Sequence, residues 1–91
     1  MALNRSYNRF RQERIIIEQA LSGHLAFLQD AINDMDSDAD RIRNLPSDDP
    51  DVREWKKLLP FWTRQFKITC EILKREYGWS DDEIRKELGG S

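Results

Sequence analysis

Between Leu3 and Pro46 no proline interrupts the chain, and apolar residues recur at alternating steps of three and four. Leu3, Tyr7, Phe10, Ile17, Leu21, Leu28, Ala31, Met35, Ile42 and Leu45 keep this register, with Arg14, His24 and Asp38 in its remaining positions. A repeat of about 3.5 residues returns side chains to one side of a helix, a demand that the two-residue period of a strand cannot meet. The pattern predicts a helix of coiled-coil type over about residues 5–36, with room to continue to 44. Unbroken, it would be roughly 60 Å long at about 1.5 Å per residue. Gly23 and the run from Asp34 to Asp40 are its weakest points, since both use poor helix formers.

Leu45-Pro46-Ser47-Asp48-Asp49-Pro50-Asp51 is the clear break, with a loop at about 45–49. It also carries the start signals of a second helix: Asp49 to cap, Pro50 for the first helical position and Asp51 for the positive end of the dipole. That helix is expected over about 50–77. Trp55, Leu59, Trp62, Phe66, Leu73 and Tyr77 form one stripe on it, and Leu58, Phe61, Ile68 and Ile72 a second beside it. Pro60 removes the hydrogen bond to the Lys56 carbonyl, so a kink is expected there. Around Gly78 several signals coincide: a glycine to end the helix, Ser80 to cap the next, Glu83 to complete a capping box and Trp79 to staple onto Ile84. A short third helix follows at about 81–88. The expected fold is all-α, a single domain over 1–91: an antiparallel hairpin of two long helices, the second kinked near Pro60, plus a short C-terminal helix.

At 91 residues such a chain buries only about 60–65% of the surface it exposes unfolded, so its core is thin. Charged residues make up 35% of it, and the net charge of −2 is unevenly spread. Residues 1–29 carry four Arg against two Glu, residues 30–54 nine acids against three Arg, and residues 55–91 eight bases against six acids. No apolar run approaches the roughly 18–20 residues that span a bilayer, and the start lacks the apolar stretch of a signal peptide. A cytoplasmic location without membrane contact is expected. Cys70 is the sole cysteine and cannot form an intramolecular disulfide. The closing Gly89-Gly90-Ser91 is assigned no role.

The first helix has more apolar surface than a two-helix seam requires. Ile15 and Ile16 add to Ile17, and Ile16, Ala20, Gly23 and Phe27 make a stripe whose small middle lets another helix approach closely. These four residues are the expected self-association or partner face. A symmetric dimer with a four-helix arrangement is the expected form, against the alternative that the third helix and the kinked part of the second cover this face within one chain.

Arg53, Lys57, Arg64, Lys67 and Lys74 follow one another at helical spacing on the second helix, an anion-facing ridge that could track phosphates. The Asp34 to Asp40 run is expected to lie near Arg53, Lys56 and Lys57, which would use part of this ridge. Arg5, Arg9, Arg11 and Arg14, interleaved with Tyr7 and Phe10, form a second basic group.

Asp34-Met-Asp-Ser-Asp-Ala-Asp40 alternates oxygen ligands as a calcium loop does. The sixth position, Ala39, is not Gly, however, and the twelfth, Leu45, is not the bidentate Glu. Those acids fit a frayed helix end better, or a patch that mimics nucleic-acid charge as a small inhibitor would. His24 and Cys70 fall on or beside apolar stripes, where a satisfied core histidine and a small buried residue are expected. No Cys/His spacing offers a zinc site, and no glycine loop cradles a phosphate.

Tyr77-Gly-Trp-Ser-Asp-Asp-Glu-Ile-Arg-Lys-Glu-Leu-Gly89 resembles the helix and glycine turn that precede the recognition helix of helix-turn-helix domains. No recognition helix follows within the 91 residues, so the resemblance implies no groove-reading element. The expected function is a non-enzymatic helical interaction, regulatory or adaptor module, a homodimer with another protein as partner and no catalytic residue, metal or cofactor. Nucleic-acid binding through the ridge, or inhibition by charge mimicry, is the alternative.

Overall fold

The computed structural model describes the backbone of residues 2–89 and the side chains of residues 9–89. The side chains of Leu3, Arg5 and Tyr7, and the pair Gly90-Ser91, lie outside the described residues. Three helices follow in order: α1 over Ala2–Arg43, α2 over Pro50–Tyr77 and α3 over Asp81–Glu87. The first two form the antiparallel hairpin, and α3 packs back onto it.

α1 reaches the longer of its two expected ends because its acidic tail is tied down rather than frayed. Arg41 holds Asp38 at 2.6 Å and Arg43 holds Asp40 at 3.2 Å, each one turn away. Across the hairpin Arg41 also reaches Asp51 at 3.2 Å, and the Trp55 indole donates to the Met35 carbonyl at 3.0 Å. The acids thus pair with Arg41 and Arg43, and no ion pair joins them to Arg53, Lys56 or Lys57 among the described residues, although Lys56 borders the same hollow as Ala39. A helical Asp34–Asp40 also spreads its carboxylates around the helix, which a calcium loop cannot do.

α2 starts as its sequence dictates. Asp49 sits in extended backbone and accepts from the Asp51 amide at 2.9 Å, with Pro50 at the first helical position. The helix continues without a break through Pro60. At its other end Gly78 takes the left-handed conformation at φ 69° and donates to the Lys74 carbonyl, while Trp79 donates to that of Leu73. Ser80 and Glu83 form the reciprocal capping box that opens α3.

The α2 seam follows the predicted stripe, with Val52 and Thr69 completing it; Thr69 satisfies its hydroxyl by donating to the Gln65 carbonyl at 2.8 Å. The α1 seam differs from the expected one in an orderly way, since the predicted stripe interleaves two seven-residue series and only one packs on α2 along its whole length; Ala31 and Asp38 of the other are half-buried. Leu21, Leu28, Met35 and Ile42 are buried or half-buried there, whereas Phe10, Ile17 and His24 of the other series are exposed. Glu18, Leu25, Ile32 and Ala39 take the places between. Leu25 and Ile32 bury more apolar surface than His24 and Ala31 would, and an imidazole without a partner would be costly inside.

Leu25, Leu73 and Ile84 form the centre of the core, with Leu21, Phe66, Cys70, Tyr77, Trp79 and Leu88 packed around it. Among the described residues only Leu25, Leu28 and Leu73 are fully buried. The molecule measures 66 × 28 × 16 Å, with a radius of gyration of 18.1 Å. A compact chain of this length would have about 12 Å, so the hairpin is elongated and most of its surface lies on two long flat faces.

Candidate functional site: the open face of the hairpin

The two long faces are unequal because α3 covers only one of them. Trp79 donates to the Glu18 carboxylate at 2.7 Å, Ser22 donates to Glu87, and Lys74 pairs with Asp81. These contacts place α3 over the side of α1 that carries Glu18 and Ser22 and the side of α2 that carries Cys70 and Lys74. The Lys74–Asp81 pair holds the Asp81 carboxyl below its ordinary range and the Lys74 ammonium above its own, chiefly through their hydrogen bond.

Helical spacing assigns the residues of the opposite face. On α1 they are Phe10 and, a heptad later, Ile17, Ala20, His24, Phe27 and Ala31 at steps of three and four; on α2 they are Leu58, Phe61, Gln65, Ile68 and Ile72. Trp62 joins the two rows, its ring meeting Phe27 edge-on at 5.7 Å and Phe61 at 5.1 Å. His24 stacks on Phe27 at 6.2 Å.

Phe10, Ile17, Phe27, Phe61 and Ile68 are exposed by 58, 51, 54, 48 and 42% respectively, five of the seven most exposed large hydrophobic side chains among the described residues. Of the other two, Ile16 stands on the outer edge of this face and Ile15 lies on the side of α3. A hollow of about 440 Å³ beside Phe61, floored by Leu58 and Pro60 and rimmed by Lys57 and Arg64, extends the face along α2.

The four residues expected to form an association face are all exposed, and α3 does not cover them. Ala20 and Phe27 belong to the open face itself, while Ile16 and Gly23 flank it, pointing away from α2; a Cβ added at Gly23 would meet nothing within 4 Å. Ile17 and His24 belong to the stripe expected at the seam, and Phe61 and Ile68 to the second stripe of α2. That second stripe was the available signal for the α2 half of the face.

The basic ridge is exposed at all five positions, but it winds from the outer edge of α2 at Arg53, Lys57 and Arg64 toward the α3 side, where Asp81 engages Lys74. Arg14, of the first-helix basic group, is half-buried: it lies 4.8 Å over the Tyr77 ring and donates to the Glu76 carbonyl at 2.6 Å, capping the end of α2.

The only histidine and the only cysteine lie on opposite faces. His24 is exposed on the open face, against the expected core position, and Cys70 is half-buried against the α3 cluster. Burial pushes the Cys70 thiol up, away from the thiolate a nucleophile needs. No group of three or more His, Cys, Asp or Glu among the described residues is placed to hold a metal ion, and no helix there is long and apolar enough to cross a membrane. No family model, curated protein or solved structure matches the chain.

Proposed function

We propose that this chain is a non-enzymatic helical interaction module of the regulatory or adaptor kind, that it works as a homodimer, and that the open face of the hairpin is its contact surface. One observation carries the proposal: five large, half-exposed apolar side chains share one face while the opposite face is covered by α3. Together they hold on the order of 450 Å² of apolar surface, taking about half of the area that each such side chain can bury. That total is comparable to the largest apolar patch of a typical monomer, about 300–600 Å², which is often functional.

Sedimentation velocity tests it. The chain is expected to sediment as a dimer at micromolar concentration. Ala20→Glu combined with Ile68→Glu, two substitutions on the open face that leave the buried α3-side cluster untouched, is expected to give a monomer that keeps its helical circular dichroism. A dimer that survives both substitutions would remove the open face from the interface.

A further inference from the structure

We infer that the hollow at the loop end of the hairpin, on the side where α3 lies, binds a small amphipathic carboxylate, its apolar body against Ile42, Val52 and Trp55 and its charge between Lys56 and Arg43. None of these residues belongs to the open face, so the site is independent of the homodimer. The sequence leaves this hollow unfilled. In the seam of α1 the seven-residue series Glu18, Leu25, Ile32, Ala39 supplies a leucine, then an isoleucine, and at its last position only a methyl group. Nor does α3 reach that level: Leu88 and Gly89 border α1 beside Ala26 and Asp30, roughly 14 Å short of Ala39 at about 1.5 Å per residue. What remains is a cavity of about 340 Å³ bordered by three elements, α1 from Ala39 to Arg43, the loop at Ser47, and α2 from Val52 to Lys56.

The lining sets the chemistry of the occupant. Ile42 and Val52 are only 7 and 4% exposed, and the Trp55 indole is held by its hydrogen bond to the Met35 carbonyl, so the apolar surface is formed before any ligand arrives. At the roughly 30 Å³ that a water occupies in the liquid, the cavity has room for about ten non-hydrogen atoms. That is the small end of the range of ligand sites, which are likewise mostly apolar with a few polar groups to fix orientation.

The rim carries two bases and no acid. Lys56 has no ion-pair partner among the described residues. Arg43 has one, Asp40 at 3.2 Å, but that pair is so exposed that it holds the guanidinium weakly. The other side of the same seam has the opposite character: a hollow of about 210 Å³ bordered by Asp38, Asp51 and Glu54, with Arg41 paired to both aspartates. An anion is therefore directed to the α3 side. A single carboxylate suits it, whereas a polyanion would bring its further charges against the nine acids of residues 30–54.

Titration of isotope-labelled protein with octanoate, followed by nuclear magnetic resonance, tests the site. Saturable shifts of the Trp55 indole N–H and of the Ala39 and Lys56 amides are expected, with a dissociation constant below about 1 mM. Octanamide, similar in shape but uncharged, should bind about fivefold more weakly or worse. Ala39→Leu fills the cavity, so it should raise the melting temperature and weaken octanoate by about tenfold or more. Lys56→Glu, at an exposed position, should leave the melt unchanged and weaken octanoate by about fivefold or more. Shifts that do not saturate by about 10 mM, octanamide binding as tightly as octanoate, or an undiminished affinity in Ala39→Leu would each overturn the site. Shifts centred on Phe27 and Trp62 would move the ligand to the open face and overturn it as well. If Ala39→Leu does not fold, Lys56→Glu decides: an unchanged octanoate affinity overturns the proposal.

Discussion

The two faces of the hairpin are drawn from the same two helices, yet one is finished and the other is not. On the α3 side, Ile84 is buried against Leu25 and Leu73, and the polar groups that border it are paired: Trp79 with Glu18, Ser22 with Glu87, Lys74 with Asp81. On the open side, Phe27, Phe61 and Ile68 remain about half in water with only Trp62 between the rows. What separates them is a helix of seven residues, placed by a left-handed glycine and a capping box. A chain this thin builds a core where a short element can be fixed in place. Elsewhere its long helices keep an apolar face in reserve.

The largest effect should come from setting a residue of one face against its counterpart on the other. Leu73→Ala empties the centre of the α3-side cluster, where the leucine is fully buried. A loss of about 2–5 kcal/mol is expected from the missing contacts and the cavity. In a thermal melt that is a fall of more than about 10 °C for a domain of this size. Ile68→Ala, five residues away on the open side, should cost dilute, monomeric protein only about 1 kcal/mol, because its side chain is partly exposed. Equal losses in dilute melts would mean that the open face is already sheltered within one chain.

Next in size is the hydrogen bond that fastens α3. Trp79→Phe keeps most of the apolar contact but removes the donor to the half-buried Glu18 carboxylate. The expected loss is about 1–3 kcal/mol, the usual range for a hydrogen bond to a charged group or for leaving such a group unpaired. Glu18→Gln retains an acceptor oxygen and should lose less. Amide hydrogen exchange in α3, measured for both variants, checks that the loss is local: α3 should exchange faster in Trp79→Phe while the middle of α2 is unchanged.

Much of this contrast can be read in the residues, and the part that cannot has a definite cause. Loop, caps and the three helices are legible because each rests on local chemistry: Asp49 and Pro50 at one start, Gly78, Ser80 and Glu83 at the other. The α2 seam is legible too, since its aromatic and leucine stripe has no rival of equal size. The α1 seam is ambiguous because Ile17 and His24 compete with Glu18 and Leu25 for neighbouring positions, and local sequence does not say which side α3 will take. Once Trp79 reaches Glu18, the helix is turned toward Leu25, and Ile17 and His24 are left outside. The open face is half-visible for the same reason. Ala20 and Phe27 lie within it, but a stripe read on one helix cannot reveal that Phe61 and Ile68 of the other helix stand level with it.

The smallest expected effect separates the open face from the outer edge of α1. Gly23 lies inside a 42-residue helix at an exposed position with no neighbour for a new Cβ. Gly23→Ala should therefore stabilise dilute protein by about 0.5–1 kcal/mol, through the lower backbone entropy cost of alanine in a helix. The consequence for association depends on which surface is used. If the partner copy sits on the open face, the methyl group projects from its margin, and the dimer dissociation constant should change less than about threefold. If instead a helix lay in the groove formed by Ile16, Ala20, Gly23 and Phe27, the methyl group would hold the backbones apart, and dissociation should rise by tenfold or more, the cost of over-packing a close contact by about 1–3 kcal/mol. A melt at low concentration and a sedimentation equilibrium series on the same variant give both quantities. A higher melting temperature with an unchanged dissociation constant assigns the interface to the face shared by both helices, whereas a higher melting temperature with weakened association assigns it to α1 alone.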